Sequence, residues 1–287
     1  MNGLSGPPCH RYDPAMAWLI SLTSLVARLP GRAGPARVGH MARRWALAWW
    51  RIFYLGAVVL VLALSPSSYG PGRRQALARR LYLDTAPVLP GFTVLAALIS
   101  LVLTRIVVVT ALSYGLSRYA LEMVIRVLVL ELIPLTAALF VAMRCTIGHG
   151  AQLAQLRQSG QLDALARQGL DPVRTELLPR AIAGVFACVT LAALSSVVAL
   201  VLVYLGVYGL NGAGLPGYTR MFGQVFSPGV TLVLALKTLF FSLAVALIPM
   251  GAGLYDSARP DSELGGLVRM FAVLLLIELA SLMGNYY

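Results

Sequence analysis

Lysine occurs once in this chain of 287 residues, at Lys237, and histidine three times, at 10, 40 and 149. The single lysine sits in Leu-Ala-Leu-Lys-Thr, so there is no G-x-x-x-x-G-K-[ST] loop, which excludes ATP binding by a P-loop. The scattered histidines, with no H-E-x-x-H, exclude the common zinc-hydrolase pattern, and no G-x-S-x-G marks a nucleophilic serine. The three cysteines (Cys9, Cys145, Cys188) are far apart and odd in number, which argues against a disulfide framework or a zinc site. Charged residues are 12% of the chain, against about 25% in an average soluble domain. Disorder and an ordinary soluble enzyme are both excluded by that scarcity.

Apolar residues fill the gap, at 59%, with a mean hydropathy of +0.79. The composition belongs in a bilayer and predicts an all-α integral membrane protein. Five apolar stretches are long enough to cross: 85–112, 119–143, 181–208, 231–250 and 268–285. The third is followed by Gly209, Gly212, Gly214, Pro216 and Gly217, so a loop is expected after Tyr208. Residues 85–287 thus form a five-span domain with a long polar loop at 144–180, and 1–84 an N-terminal region of surface helices.

Arginine sets the direction. Residues 1–84 carry 11 Arg and two acids, and 144–180 carry five Arg, whereas the loops at 113–118 and 209–230 carry one each. The positive-inside rule predicts a cytoplasmic N-terminus and an external C-terminus. The stretch 45–66 has two readings. Trp45 to Leu64 could be a further span, interrupted by Arg51. Basic residues on both flanks (Arg43 and Arg44, then Arg73, Arg74, Arg79 and Arg80) favour a helix lying in the cytoplasmic interface, with Trp45, Trp49, Trp50 and Tyr54 at headgroup level. Trp18, Leu22, Leu25 and Leu29 form one face of another short surface helix.

The net charge of +12 therefore reads as topology and lipid attraction rather than nucleic-acid binding. Ionisable side chains within spans are costly and mark a cavity or a partner. Arg105, Glu122, Arg126, Glu131, Lys237 and Glu278 qualify. Glu122 and Arg126 have the spacing of an i,i+4 pair. Glu131 precedes Pro134, which leaves a carbonyl four residues back without its helical donor. A carboxylate there serves a cavity wall or a helix–helix hydrogen bond, and Lys237 and Glu278 could pair with each other or with it. In the 144–180 loop, Leu153 and Leu156, then Leu162 and Leu165, give two short apolar faces divided by Ser159-Gly160. Asp171-Pro172 suits a helix start, with Asp171 as N-cap. This hairpin is suited to docking in a groove on a partner, or to resting on lipid headgroups.

Several blocks taken together resemble the MlaE/YrbE family of ABC-transporter permeases. These are Arg79-x-Leu81-Tyr82; Glu131-Leu132-x-Pro134 with Ala137-Ala138-Leu139 and Arg144; Leu170-Asp171-Pro172-x-Arg174; Pro179-Arg180-x-x-Ala183-Gly184; Lys237-Thr238; and Gly253-Leu254-Tyr255-Asp256. Leu130, Ile133, Cys145 and Thr146 depart from the family pattern and mark a divergent member. The resemblance implies a permease without enzymatic activity or cofactor of its own, ATP being bound by a separate ABC ATPase subunit. It implies an MCE-domain partner outside and a second permease copy or paralogue, with a phospholipid or similar hydrophobe as substrate. Glu131, Tyr114, Lys237 and Glu278 would then line the substrate cavity. Leu153, Leu156, Arg157, Leu162, Leu165, Arg167 and Asp171 would couple to the ATPase. A channel or secondary carrier, and a membrane scaffold that moves nothing, are the rival classes.

Overall fold

The computed structural model describes residues 35–65, 71–115, 117–169, 171–255 and 262–286. The surface helix expected around Trp18–Leu29 lies outside them. Two units are present, Met1–Trp49 and Trp50–Tyr287, and the second holds the helices that matter for function.

Helix α1 is Pro35–Leu64. Beyond Trp50 its buried side chains are Ile52, Leu55, Val59 and Leu62, one stripe at helical spacing, while Trp50, Phe53 and Tyr54 on the opposite side are exposed. Helix α2 is Pro71–Thr85, and a turn leads into α3, Leu89–Ser113. Gly115, with φ of 71°, turns the chain back. The next helical path is a composite: α4 Ser117–Ile125, a π turn Arg126–Leu132, α5 Ile133–Val141, a second π turn Ala142–Thr146, and α6 Ile147–Gln158. From Leu121 to Gln158 it runs unbroken for 38 residues. At about 1.5 Å per residue that is far longer than the roughly 30 Å hydrocarbon core. Its far end therefore extends past the thickness of the hydrocarbon core. The sequence divides span from loop at 143/144; the helix ignores that division, because nothing between Arg144 and Gln158 breaks it.

The break comes at Ser159-Gly160, where Gly160 adopts φ 71°. Short α7, Gln161–Arg167, completes the expected hairpin. Asp171 then caps the next element as anticipated, its Oδ1 accepting the Val173 N–H at 3.0 Å. A π turn (Val173–Leu177) leads into α8, Leu178–Tyr208, which stops at Gly209 as expected. The glycine-rich stretch after it is not only loop. It holds a 3₁₀ turn and the amphipathic α9, Leu215–Val225, with Pro216 in its first turn. Helices α10 (Pro228–Tyr255) and α11 (Ser262–Tyr286) finish the chain.

Among the described residues no strand occurs, and six helical stretches are long and apolar enough to cross a membrane. Five overlap the expected spans; the sixth is Ala46–Leu64, the stretch that the flanking arginines place in the interface. Its Ile52 joins the central core cluster, with Val88, Phe92 and Ile248. The buried cluster that takes in Leu55, Val59 and Leu62 draws its other members from Leu153 of α6, Leu177–Ala181 and the last third of α10, Ala246 and Met250. All of these lie at the hairpin end of the bundle.

In the bundle core, small residues line the contact between the second and third spans, beside larger ones such as Phe92, Phe241 and Met270. Ala137, Ala138, Val141 and Ala142 meet Ala187, Cys188, Leu191 and Ala192 of α8 and Val245 of α10, and Phe92 packs 5.1 Å from Phe140. Small side chains let membrane helices approach closely, which substitutes for the hydrophobic drive that lipid does not supply. A second cluster, from Leu121 to Ile133 with Ala199, Val203 and Val225, closes the opposite end. Outward, α3 shows Val94, Leu98, Val102, Ile106 and Val109, and α11 shows Val268, Phe271, Leu275 and Leu279. Such stripes suit contact with lipid or another membrane helix.

Candidate functional site: a buried ion triad and a coupling hairpin

Pro134 has no N–H, so the carbonyl of Leu130 loses its helical donor. Lys237, reaching across from α10, supplies one: its Nζ donates to Leu130 O at 3.1 Å and also to Glu131 Oε2. Glu278 of α11 completes the group, its Oε2 lying 2.9 Å from the same nitrogen but off the best hydrogen-bonding direction. The Lys237 side chain is 1% exposed, that of Glu131 11% and that of Glu278 15%. Phe241, one turn along α10, sets its ring 5.7 Å from the ammonium. Burying charges this deeply is costly unless each finds partners, and here one cation serves two carboxylates and a backbone oxygen. Three helices are tied at one point.

Three of the four residues expected in the cavity are therefore together. The fourth, Tyr114, is not: it is 76% exposed in the turn after α3. Glu122 and Arg126 form their i,i+4 pair at 3.0 Å. Arg105 is exposed on α3.

At the other end, the hairpin residues divide. Leu153 is fully buried and Leu162 nearly so, with Leu156 and Leu165 half-buried. Leu153 is turned inward, packing with Leu177, Leu178 and Met250. Arg157, Arg167 and Asp171 are exposed. Asp171 is occupied as a cap, and the Arg157 Nη1 donates to Leu254 O at the end of α10.

Two features escaped the sequence. Asp84, at the end of α2, lies 3.4 Å from His149 Nε2 in α6 and 3.7 Å from Arg80. Arg180, itself buried, pairs with Glu176 beside them. Burial by itself would raise the Asp84 carboxyl. His149, Arg80 and Arg180 outweigh it and hold the group below its ordinary value. Burial and the neighbouring Arg180 in turn lower the Arg80 guanidinium. A lone histidine 65 residues from its aspartate carries no sequence signal of such a pair. The second is aromatic. Tyr218 of α9 donates to Leu200 O at 2.9 Å and stacks edge-on against Tyr204 at 5.3 Å, and burial pushes its hydroxyl up to about 12.

No group of three or more metal-ligating side chains occurs among the described residues. The arrangement buries the ions of the triad and leaves Arg157 and Arg167 exposed on the hairpin. It offers a buried electrostatic tie in mid-bundle and a rigid arm at one end. The family described as Permease MlaE matches residues 77–283, from α2 to α11. The chain belongs to the MlaE permease family. The match takes in the triad, the hairpin and the Asp84–His149 pair of this MlaE-family chain, and leaves α1 outside. A probable ABC transporter permease protein of Rickettsia prowazekii (strain Madrid E) is 28% identical to it over 148 residues, half of this chain and 57% of that relative.

Proposed function

We propose that this MlaE-family chain is the membrane permease subunit of an ABC transporter that moves phospholipid or a similar hydrophobe between the inner membrane and an MCE-type partner. The observation that carries the reading is the family match across both the triad and the hairpin. ATP hydrolysis belongs to a separate ATPase subunit, since the chain has no P-loop. That ATPase meets the exposed part of the hairpin, where Asp163 and Arg167 are exposed. A second permease copy or paralogue covers one of the outward apolar stripes. The N-terminus is cytoplasmic, and α1 rests in the interface at the hairpin end.

The depth of the triad refines its role. A headgroup cannot reach Lys237 while that side chain is 1% exposed. The triad therefore acts as a lock that holds spans two, four and five together, and substrate meets it only when they part. A ligand can shift such an equilibrium only by its preference for the parted state.

The test is reconstitution. The permease is co-expressed with candidate ABC ATPase and MCE-domain proteins from the same organism, purified as a complex and placed in liposomes with a fluorescent phospholipid. ATP-dependent movement of the lipid to the MCE protein supports the reading. Movement without ATP and without the ATPase favours a carrier, and a complex that assembles but moves nothing favours a scaffold.

A further inference from the structure

We infer that Arg157 is a positioning residue that fastens the coupling helix α6 to the last turn of α10, so that both act as one arm ending at Lys237. The inference rests on the permease reading above. Its starting point is the contact between α6 and α10, which is backbone on backbone. A Cβ on Gly253 would stand 2.1 Å from the Gly150 carbonyl oxygen, and one on Gly150 would stand 2.6 Å from the Pro249 oxygen. Slightly deeper, a Cβ on Gly184 of α8 would stand 3.0 Å from Thr146 Cγ2 and 3.3 Å from the Ala246 Cβ. Helices this close cannot slide past one another without first separating, because packed interiors have few spare voids.

The arm is continuous on both sides. On one, α6 belongs to the same helical path as Glu131; on the other, α10 continues from Lys237 to its end at Tyr255. The two paths are joined at the triad and again at the glycine crossing, roughly 24–28 Å apart at about 1.5 Å per residue. Arg157 adds a third tie beyond the crossing. The last carbonyls of a helix have no donor within it, and the C-terminus carries partial negative charge. The Arg157 guanidinium answers both at Leu254. Exposure alone would make Arg157 an ATPase contact, yet its Nη1 is directed into the permease. Force applied to α6 then reaches Lys237 through α10 as well as Glu131 through the helix itself.

Two measurements on Arg157→Ala test this. In the permease alone, hydrogen exchange followed by mass spectrometry should show amides 250–255 exchanging about ten-fold faster, with Arg157→Lys restoring protection. In the complex in lipid nanodiscs, ATPase association should persist while lipid moved per ATP hydrolysed falls about ten-fold, and the lysine variant should recover it. Unchanged exchange in Arg157→Ala overturns the inference. So does wild-type exchange combined with loss of ATPase binding, which would make Arg157 a docking residue. A wild-type chain that recruits no ATPase would refute the permease reading instead, and the exchange experiment would still decide the tie.

Discussion

Lys237 donates to the carbonyl of Leu130, the acceptor that Pro134 leaves unserved. The proline that weakens span two thus creates the socket into which span four fits. Removing the cation while keeping Glu131 and Glu278 would leave two buried carboxylates facing each other. Breaking a buried pair on one side costs about 3–5 kcal/mol. Lys237→Met should therefore lower the thermal unfolding midpoint sharply in detergent, and Glu131→Gln on that background should restore part of it. A midpoint equal to wild type in Lys237→Met would show that the triad is not a tie.

Asp84 gives a pH dependence of defined sign. Its folded-state pKa is depressed, so its contribution is fully present above the ordinary carboxylate value of about 3.9 and is lost as pH falls through the lower folded value. Asp84→Asn should cost roughly 1 kcal/mol at pH 7, the upper end for a partly screened ion pair. The gap from wild type should close below about pH 4. Unfolding curves of both proteins at the two pH values check this; a gap that widens in acid contradicts the assignment.

The glycine crossing separates two otherwise similar substitutions. Gly253→Ala forces a methyl against the Gly150 backbone, whereas a Cβ on Gly148 meets nothing within 4 Å. Overpacking of a tight contact costs about 1–3 kcal/mol, so Gly253→Ala should unfold earlier. Gly148→Ala should be neutral or slightly stabilising, since alanine is the better helix former. Equal melting temperatures for the two would mean the helices stand further apart than the structure places them.

Topology is open to a direct assay. Reporter fusions after Gly70 should read cytoplasmic and fusions after Tyr287 should read external, as expected if α1 lies in the interface. An external reading at Gly70 would make Ala46–Leu64 a true crossing and invert the loops that follow.

The five spans, the Glu122–Arg126 pair, the Asp171 cap and the stop at Gly209 were legible because each is local. They depend on residues within one or two turns. The orphan carbonyl behind Pro134 was legible for the same reason, and the three ionisable residues around it drew notice by their cost in a membrane. What filled that carbonyl was not legible, since Lys237 comes from another helix. The inward set of Leu153, the Asp84–His149 pair and the Gly150–Gly253 approach depend on how helices are rotated and crossed. Period and propensity say little about that. The two π turns between Arg126 and Thr146 alter the rotation of this helical path, so a face drawn at 3.6 residues per turn from Glu131 would not locate Leu153 correctly.

The solitary lysine also has a practical consequence. Amine-directed reagents find no lysine ε-amine but that of Lys237, whose side chain is 1% exposed. In the folded permease this amine should resist acylation. A labelled Lys237 peptide would mark a molecule in which spans two, four and five had come apart. Timed exposure to a small acylating agent, with and without ATP turnover in the complex, would thus count openings of the bundle using chemistry the chain already carries.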